Sequence, residues 1–217
     1  MKIAIEGCCH GELDKIYATI KHIEKTNGGP SIDLLIICGD FQAIRNRRDL
    51  ASMAVPDKYL QLGTFWKYYA GIETAPVLTL FIGGNHESSS YMCELPYGGW
   101  VAPNIYYMGY ANVINFGGLR IAGLSGIYKS QDYYKGHFEL APFGMSEKHS
   151  VYHVRDLEVF RLSQLKQPID IMITHDWPTG VWTQSDCSEL VRTKPFLRNE
   201  LESNTLGNLI IKFFLFC

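Results

Sequence analysis

The sequence has little excess charge of either sign and no long hydrophobic run. Its 217 residues carry 20 Lys and Arg against 22 Asp and Glu, a formal net charge of −2. A general electrostatic attraction to nucleic acid is therefore excluded, and binding of RNA would depend on a local basic surface or on bound cations. No stretch approaches the ~20 apolar residues of a membrane span, so we expect no membrane partner.

Paired cysteine spacings, repeats and low-complexity tracts are also missing. The six cysteines do not follow the pattern of a small disulfide-rich secreted domain, which favours a reducing compartment, the cytosol or the nucleus. Hydrophobic residues make up 47% and charged residues 19% of the chain, as in an ordinary folded protein. No linker marks a second domain, and no pattern indicates an obligate protein partner.

Apolar runs predict four strands, each of which ends in polar side chains. The runs cover 2–6, 34–38, 77–82 and 169–173. A helix is predicted after the first strand because one face carries five apolar residues: Leu13, Ile16, Tyr17, Ile20 and Ile23. In open α/β sheets, ligands gather beyond the carboxyl ends of the strands, so the polar residues there are the candidates for function.

The chain between the third and fourth predicted strands has a different residue pattern. A hairpin is predicted from 112–116 and 119–124, which flank Gly117-Gly118. The stretch 128–152 is rich in Tyr, His, Gly and Lys without clear periodicity, and a loop of this length is usually functional. A helix is predicted at 154–165.

Side chains that bind metals follow the four strands. The candidate ligands are Cys8, His10, Asp40, Asn85 and His175. A thiolate with imidazoles suits Zn²⁺ or Fe²⁺ better than Mg²⁺ or Ca²⁺, and a carboxylate can bridge two cations. Each residue alone has an ordinary explanation: a small buried thiol, a turn cap, a left-handed turn position or the end of a strand. Their joint placement at strand ends favours a metal site.

His86 lies directly beside Asn85 and is the candidate general acid. A cation pair ~3.5–4 Å apart can activate a water for in-line attack on phosphorus, and a neighbouring histidine can then protonate the departing oxygen. The alternative for His86 is a histidine satisfied at the surface.

Four short motifs in this order resemble the calcineurin-like metallophosphoesterases. They are G-C-C-H-G (7–11), G-D-F-Q (39–42), G-N-H-E (84–87) and T-H-D-W-P (174–178). That superfamily usually begins with Asp-x-His, and Cys8 replaces the aspartate here. This replacement and four longer stretches resemble the RNA lariat debranching branch: 94–109, 123–129, 132–139 and 150–155.

The resemblance implies an α/β/β/α sandwich that binds one or two divalent metal ions, Fe²⁺, Zn²⁺ or Mn²⁺. The five candidate ligands would hold the metals with Asp40 as the bridge, and His86 would protonate the leaving group. The implied reaction is hydrolysis of the 2′,5′-phosphodiester at the branch point of excised intron lariat RNA. It leaves a 5′-phosphate and a 2′-hydroxyl. The implied location is the nucleus, with the cytoplasm as a second site.

The segment 125–155 resembles the lariat-recognition loop of that branch. Aromatic rings that stack on bases are a general means of gripping single-stranded RNA. The predicted RNA contacts are Tyr128, Lys129, Tyr133, Tyr134, Lys135, His137 and His153. Other candidate local charges, each also explained as ordinary solvated surface, are Arg45, Arg47, Arg48 and Lys148.

One departure from the family pattern lies in the C-terminal part of the chain. The branch completes its metal site with two histidines one residue apart, whereas no histidine follows His175 here. We therefore predict a metallophosphoesterase domain over 1–207, incomplete at its C-terminal end, and an aberrant apolar tail over 208–217. Impaired catalysis is the expectation. The alternatives are a non-catalytic RNA- or metal-binding remnant of the same fold and, third, a broader phosphatase or nuclease.

Overall fold

A computed structural model describes residues 1–28 and 31–208 of the chain. The chain forms two compact units, Met1–His175 and Asp176–Cys217, and each is described separately below. The predicted tail lies outside the described residues from 209 onward. The domain assignment of 1–207 stays a prediction.

The larger unit contains a five-stranded sheet with the order β1-β2-β3-β5-β4, in which only β4 runs antiparallel to its neighbour. Its strands are β1 (Ile3–Glu6), β2 (Leu34–Ile37), β3 (Leu78–Phe81), β4 (Gly99–Ala102) and β5 (Ile105–Tyr107). Glu6 pairs with Ile37, and Ile37 pairs with Phe81. The first three strands therefore end at the same level, and the loops that follow them meet at one edge of the sheet.

A second, three-stranded sheet has the order β6-β7-β8. It consists of β6 (Ala111–Phe116), β7 (Leu119–Leu124) and β8 (Ile171–Thr174). β6 and β7 form the predicted hairpin around Gly117 and Gly118, whose φ values of 55° and 87° are in the region that glycine adopts without strain. β8 pairs with β7 in parallel and brings Thr174 opposite Leu124.

The helices of the larger unit are mostly short. They are α1 (Leu13–Asn27), α2 (Phe65–Tyr69), α3 (Ser89–Met92), α4 (Ser130–Tyr133), α5 (Met145–Ser150) and α6 (Asp156–Ser163), with 3₁₀ turns at Asp49–Ser52 and Asp57–Tyr59. α1 ends at Gly28, whose φ of 54° makes it a left-handed cap.

Two apolar cores lie on opposite faces of the first sheet. Leu35, Ile37 and Phe81 pack with Leu13 and other residues of α1 and α2. The alternate residues of the same strands, such as Ile36, pack with the second sheet in the other core. α6 contacts β6 on the second sheet. Alternation of side chains between the two faces of a strand therefore produces the predicted α/β/β/α layers, and that fold class is confirmed.

Three local predictions require correction. The stretch 128–152 is not devoid of secondary structure, because α4 and α5 form within it. The helix predicted at 154–165 is confined to α6, since Arg155 has an extended backbone and its N–H donates to the side chain of Glu158. The last strand begins at Ile171 rather than at 169. Asp170 is engaged just before it, where its carboxylate accepts the N–H of Arg120 at 2.7 Å.

The smaller unit is helical in its described part. It contains 3₁₀ turns at Val181–Gln184 and Pro195–Leu197 together with α7 (Cys187–Thr193) and α8 (Arg198–Glu202). The Asp186 side chain caps α7 by accepting the N–H groups of Ser188 and Glu189. Across residues 1–28 and 31–208, no helix combines the length and the apolar content that a membrane crossing requires.

Candidate metal centre

Backbone hydrogen bonds fasten the loops after β1 and β2 to each other. Three N–H groups donate to three carbonyl groups in turn: Cys9 to Gly39 at 3.3 Å, His10 to Asp40 at 2.7 Å, and Gly11 to Phe41 at 3.3 Å. His10 and Asp40 both have positive φ, 47° and 43°. Such left-handed conformations are uncommon outside glycine and cluster at functional sites. The strained backbone turns both side chains toward one point.

Asp40 lies at the centre of the cluster of side chains at these strand ends. Its Oδ2 lies 3.2 Å from Nδ1 of His86 and 3.9 Å from Nε2 of His10. Its Oδ1 lies 3.5 Å from Nε2 of His175. Two triads of donor atoms share this carboxylate, and the atoms of each lie within 4.8 Å of one another: Cys8 with Asp40 and His175, and His10 with Asp40 and His86. One carboxylate therefore belongs to two triads, each of which could hold a cation.

His175 is oriented by its neighbours on both ring nitrogens. Nδ1 lies 3.3 Å from the carbonyl oxygen of Cys38, and Nε2 lies 3.2 Å from Oδ1 of Asn85. A proton on Nδ1 would leave the Nε2 lone pair directed into the site, as in many metal-binding histidines. Position 39 must be glycine, since a Cβ there would overlap the His175 ring.

Glu87 anchors the backbone of the loops after β2 and β3. Its carboxylate accepts the N–H groups of Phe41 at 2.5 Å, Gln42 at 2.8 Å and Gly84 at 3.4 Å. Burial raises the pKa of Glu87 to about 7, with the charge of Asp40 acting in the same direction. Sequence reasoning missed this residue, although the motif G-N-H-E contains it, because Glu87 contacts backbone rather than offering an atom to a metal.

Asp40 and His86 stabilise each other's charged forms. Burial acts to raise the pKa of Asp40, but the hydrogen bond from His86 and the nearby His175 outweigh it and hold the pKa below its usual value. The hydrogen bond to Asp40 raises the pKa of His86. His86 therefore favours its protonated form, which a general acid requires.

The donor set fits a transition metal. A thiolate and imidazoles are borderline or soft ligands, which favour Zn²⁺ and Fe²⁺, and the carboxylate and amide oxygens also suit Mn²⁺. The structure brings all five predicted ligands to one edge of the first sheet. It also places a ring nitrogen of His86 among them, which the sequence did not predict. Their assignment as ligands stays a prediction.

The predicted RNA contacts in 125–155 divide into two sets. Tyr134 is 83% exposed, Lys129 and Lys135 are exposed, and Tyr128 is half-buried. Two others point inward, against expectation: Tyr133 is 9% exposed and His153 is 6% exposed. His137 is half-buried and stacks on Tyr110 with ring centroids 4.2 Å apart.

A buried polar network contains one of these inward side chains, His153. Arg155, 1% exposed, donates to Glu139 at 2.6 Å and to the carbonyl oxygen of Asp132 at 2.7 Å. Nδ1 of His153 lies 2.7 Å from Oδ2 of Asp132. Buried charges require partners of this kind, so His153 serves the interior. Tyr133 is not part of this network; its ring lies against Tyr128, with centroids 5.4 Å apart.

The comparisons with known proteins agree with this geometry. A family model described as calcineurin-like phosphoesterase matches residues 1–198. The chain is similar to lariat debranching enzyme A of Xenopus laevis, with 59% identity over 96% of this chain and 39% of the relative. The lariat debranching enzyme of Homo sapiens is 58% identical over 96% of this chain and 38% of the relative. The lariat debranching enzyme of Arabidopsis thaliana is 54% identical over 96% of this chain and 50% of the relative.

The chain spans about two fifths to one half of the length of these relatives. The family match covers most of the chain and includes all four strand-end motifs with the donor cluster around Asp40. The chain therefore belongs to the calcineurin-like phosphoesterase family.

Proposed function

We propose that this protein is a metal-dependent phosphodiesterase that hydrolyses the 2′,5′-phosphodiester at the branch point of excised intron lariat RNA. The observation that carries the proposal is the pair of donor triads sharing Asp40, in a chain similar to lariat debranching enzymes over 96% of its length. A nuclear location, with a cytoplasmic pool, goes with this function and is part of the proposal.

Cys8, His10, Asp40, Asn85 and His175 would hold one or two divalent ions. When bound, such ions neutralise phosphate charge and make water a stronger nucleophile. The protein residues fix the positions of the donor atoms. Asp40 and the two loops joined by backbone hydrogen bonds set the spacing of the donors, and Glu87 fixes the peptide groups beneath them. Water attacks phosphorus, and the bond from phosphorus to the 2′-oxygen breaks.

His86 would supply the proton that the leaving 2′-oxygen needs. Its Nδ1 faces Asp40 at 3.2 Å, so Nε2 is the nitrogen free to donate toward substrate. The hydrogen bond to Asp40 raises the pKa of His86 and so favours the protonated form that a proton donor needs. The products are a 5′-phosphate and a 2′-hydroxyl.

The exposed part of 125–155 would recognise the branched RNA. Tyr134 offers an open ring, and Lys129 and Lys135 offer positive charge beside it. Stacking on such rings is tolerant of base identity, as recognition of branch points in many different introns requires.

The proposal is tested with Asp40→Asn, which keeps the side-chain shape and removes the shared charge. Both triads lose their common carboxylate, so we expect most bound metal to be lost and hydrolysis of a synthetic branched RNA to fall by more than ~10⁴-fold, the upper end for loss of a general acid alone. Metal content is measured by elemental analysis after loading with Fe²⁺, Zn²⁺ or Mn²⁺. The exposed Asp57 supplies the control, since Asp57→Asn lies on a 3₁₀ turn outside both triads.

Hydrolysis of linear 3′,5′ RNA at the same rate as branched RNA would contradict the assigned substrate. Binding of metal and branched RNA by the unaltered chain without any hydrolysis would favour the alternative, a binding protein of the same fold.

A further inference from the structure

An open groove of about 690 Å³ lies between two segments of the larger unit. One wall is the chain after β2, with Arg45, Arg48 and the 3₁₀ turn Asp49–Ser52, and the other is the chain before and within α5, with Phe143 and Lys148. The volume is within the ~300–1,000 Å³ of ordinary ligand sites. The function proposed above names none of these residues, although Phe143 and Lys148 lie within the segment 125–155.

The charges lining the groove are not equivalent. Arg45 is committed to protein partners, because Nε lies 2.9 Å from Asp49 and Nη2 lies 3.2 Å from Glu94. Arg48 and Lys148 make no ion pair with any residue in the described part of the chain. Two cations that lack internal partners therefore face the groove, in a protein whose net charge is −2.

An aromatic surface accompanies these cations. Tyr69 is 48% exposed and lines the groove with the half-buried Phe143. The guanidinium of Arg45 lies 4.0 Å from the ring centroid of Tyr91, and Tyr91 packs edge-on against Tyr69 at 5.9 Å. The same guanidinium lies 6.0 Å from the ring centroid of Tyr69, so Arg45 braces both rings while about half of the Tyr69 side chain stays exposed. Positive charge beside rigid aromatic faces is the usual composition of a surface for single-stranded nucleic acid.

The groove is built on the same two loops as the candidate metal centre. The loop after β2 contains Asp40 and then Arg45, and the chain after β3 contains His86 and then Ser90 in α3. Ser90 and Ser52 join the two loops here, with their Oγ atoms 3.0 Å apart and the Ser90 N–H donating to Ser52 Oγ at 3.1 Å. An RNA strand that follows these two segments away from the donor cluster would enter the groove.

We infer that this groove binds the phosphodiester backbone of one RNA strand that leaves the branch point, through Arg48 and Lys148, with Tyr69 and Phe143 as a base-stacking wall. This inference rests on the proposed function for the identity of the RNA. An acidic peptide would satisfy the two cations but not the aromatic wall, so the composition favours nucleic acid.

The test is a double variant, Arg48→Gln with Lys148→Gln, in the full chain. A matched control, Lys21→Gln with Lys166→Gln, removes the same charge from exposed positions outside the groove. Affinity is measured by fluorescence anisotropy at several salt concentrations. The probes are a minimal branched RNA, the same branch with one arm extended by about ten nucleotides, and a linear RNA of equal length.

For the extended branch, we expect the double variant to bind roughly tenfold or more weakly at ~0.1 M salt. The slope of log affinity against log salt should fall by about 1.4, because each phosphate contact on a single strand contributes ~0.7. The minimal branch, whose phosphates do not reach the groove, should lose several-fold less. The linear RNA should show the same loss of slope as the extended branch, and the control should match the unaltered chain.

Failure of the two proposals is distinguishable. If the double variant shows a smaller salt slope on linear RNA, and the unaltered chain shows no preference for branched RNA, the groove proposal stands and the debranching function is wrong. An unchanged slope on both long RNAs, with branch preference intact, overturns the groove alone. Competition by polyglutamate at equal charge concentration that matches competition by unlabelled RNA would also overturn it.

Discussion

The candidate metal centre and the segment 125–155 position their side chains by different means. At the metal centre, parallel strands end at one level, and three consecutive backbone hydrogen bonds carry the register on into the loops. In 125–155, the backbone turns through α4 and α5, and a buried arginine decides which side chains face inward. Tyr133 and Tyr134 are adjacent, yet one is 9% and the other 83% exposed.

The difference shows which sequence patterns carry positional information. A residue just beyond a strand inherits the geometry of the sheet, so its direction follows from its place in the sequence. A residue in an irregular segment takes its direction from tertiary contacts, which composition does not reveal. Four predictions test this contrast, beginning with the largest expected effect.

Replacing His86 by alanine should slow cleavage of branched RNA by ~10²–10⁴-fold, the usual contribution of a general acid. Retained metal content, measured on the same preparation, would separate this acid role from a ligand role. The exposed His22 in α1 provides the control variant His22→Ala. A large loss of metal in His86→Ala would instead assign the ring to the second triad.

Arg155→Met should destabilise the fold by ~3–5 kcal/mol, because it leaves the carboxylate of Glu139 buried without its cation. Urea unfolding of this variant and of the exposed control Arg47→Met gives the difference. Metal content of the folded fraction should not change, since the network lies outside both triads. An unfolding free energy equal to that of the control would mean that the network does not organise 125–155.

Tyr134→Leu should weaken binding of branched RNA by ~1–3 kcal/mol, the contribution of one stacked ring, and leave the urea midpoint unchanged. Tyr133→Leu should do the reverse, because its ring is buried. Each variant is the control for the other, with affinity and unfolding measured on both. Equal effects on RNA affinity would restore the expectation that both rings contact RNA.

The smallest effect concerns pH. Burial lowers the pKa of His153, against the opposing influence of Asp132, so on acidification the unfolded chain takes up this proton first. The stability that neutral His153 contributes is complete above the unfolded pKa of ~6.5 and is lost as pH falls toward the folded value. The difference in urea midpoint between the unaltered chain and His153→Gln should therefore shrink as pH falls below ~6.5.

The titration of Asp132 does not overlap the pH range in which His153 titrates. The hydrogen bond from Lys135, more than that from His153, holds the pKa of Asp132 below its usual value. Its contribution to stability is therefore present above ~3.9 and is lost only at lower pH. A midpoint of His153→Gln that still falls as steeply as that of the unaltered chain would assign the dependence to other groups.

The sequence predicted the parts of the fold that repeat simple periodicities. Apolar runs located β1, β2 and β3, and the pair Gly117-Gly118 between two strand-like runs located the hairpin. β4 and β5 were not predicted, since Gly98-Gly99 and Pro103 interrupt any apolar pattern and the strands are only four and three residues long.

At the site, residue types known to bind metals were recognisable in the sequence, whereas supporting residues were not. Glu87 and Arg155 act through backbone groups and buried carboxylates, and these partners are distant in sequence. Their roles follow from the fold, which brings those partners together, and no local pattern encodes them.

The backbone hydrogen bonds between the loops after β1 and β2 have a consequence for the coupling of metal binding to folding. These hydrogen bonds hold the donor atoms together only in the folded chain. In the unfolded chain the same ligands are far apart, so a cation binds them more weakly. A cation present at 100 times its dissociation constant would then add about 2.7 kcal/mol to the free energy of unfolding. A chelator should lower the urea midpoint of a loaded sample, and Asp40→Asn should abolish that difference.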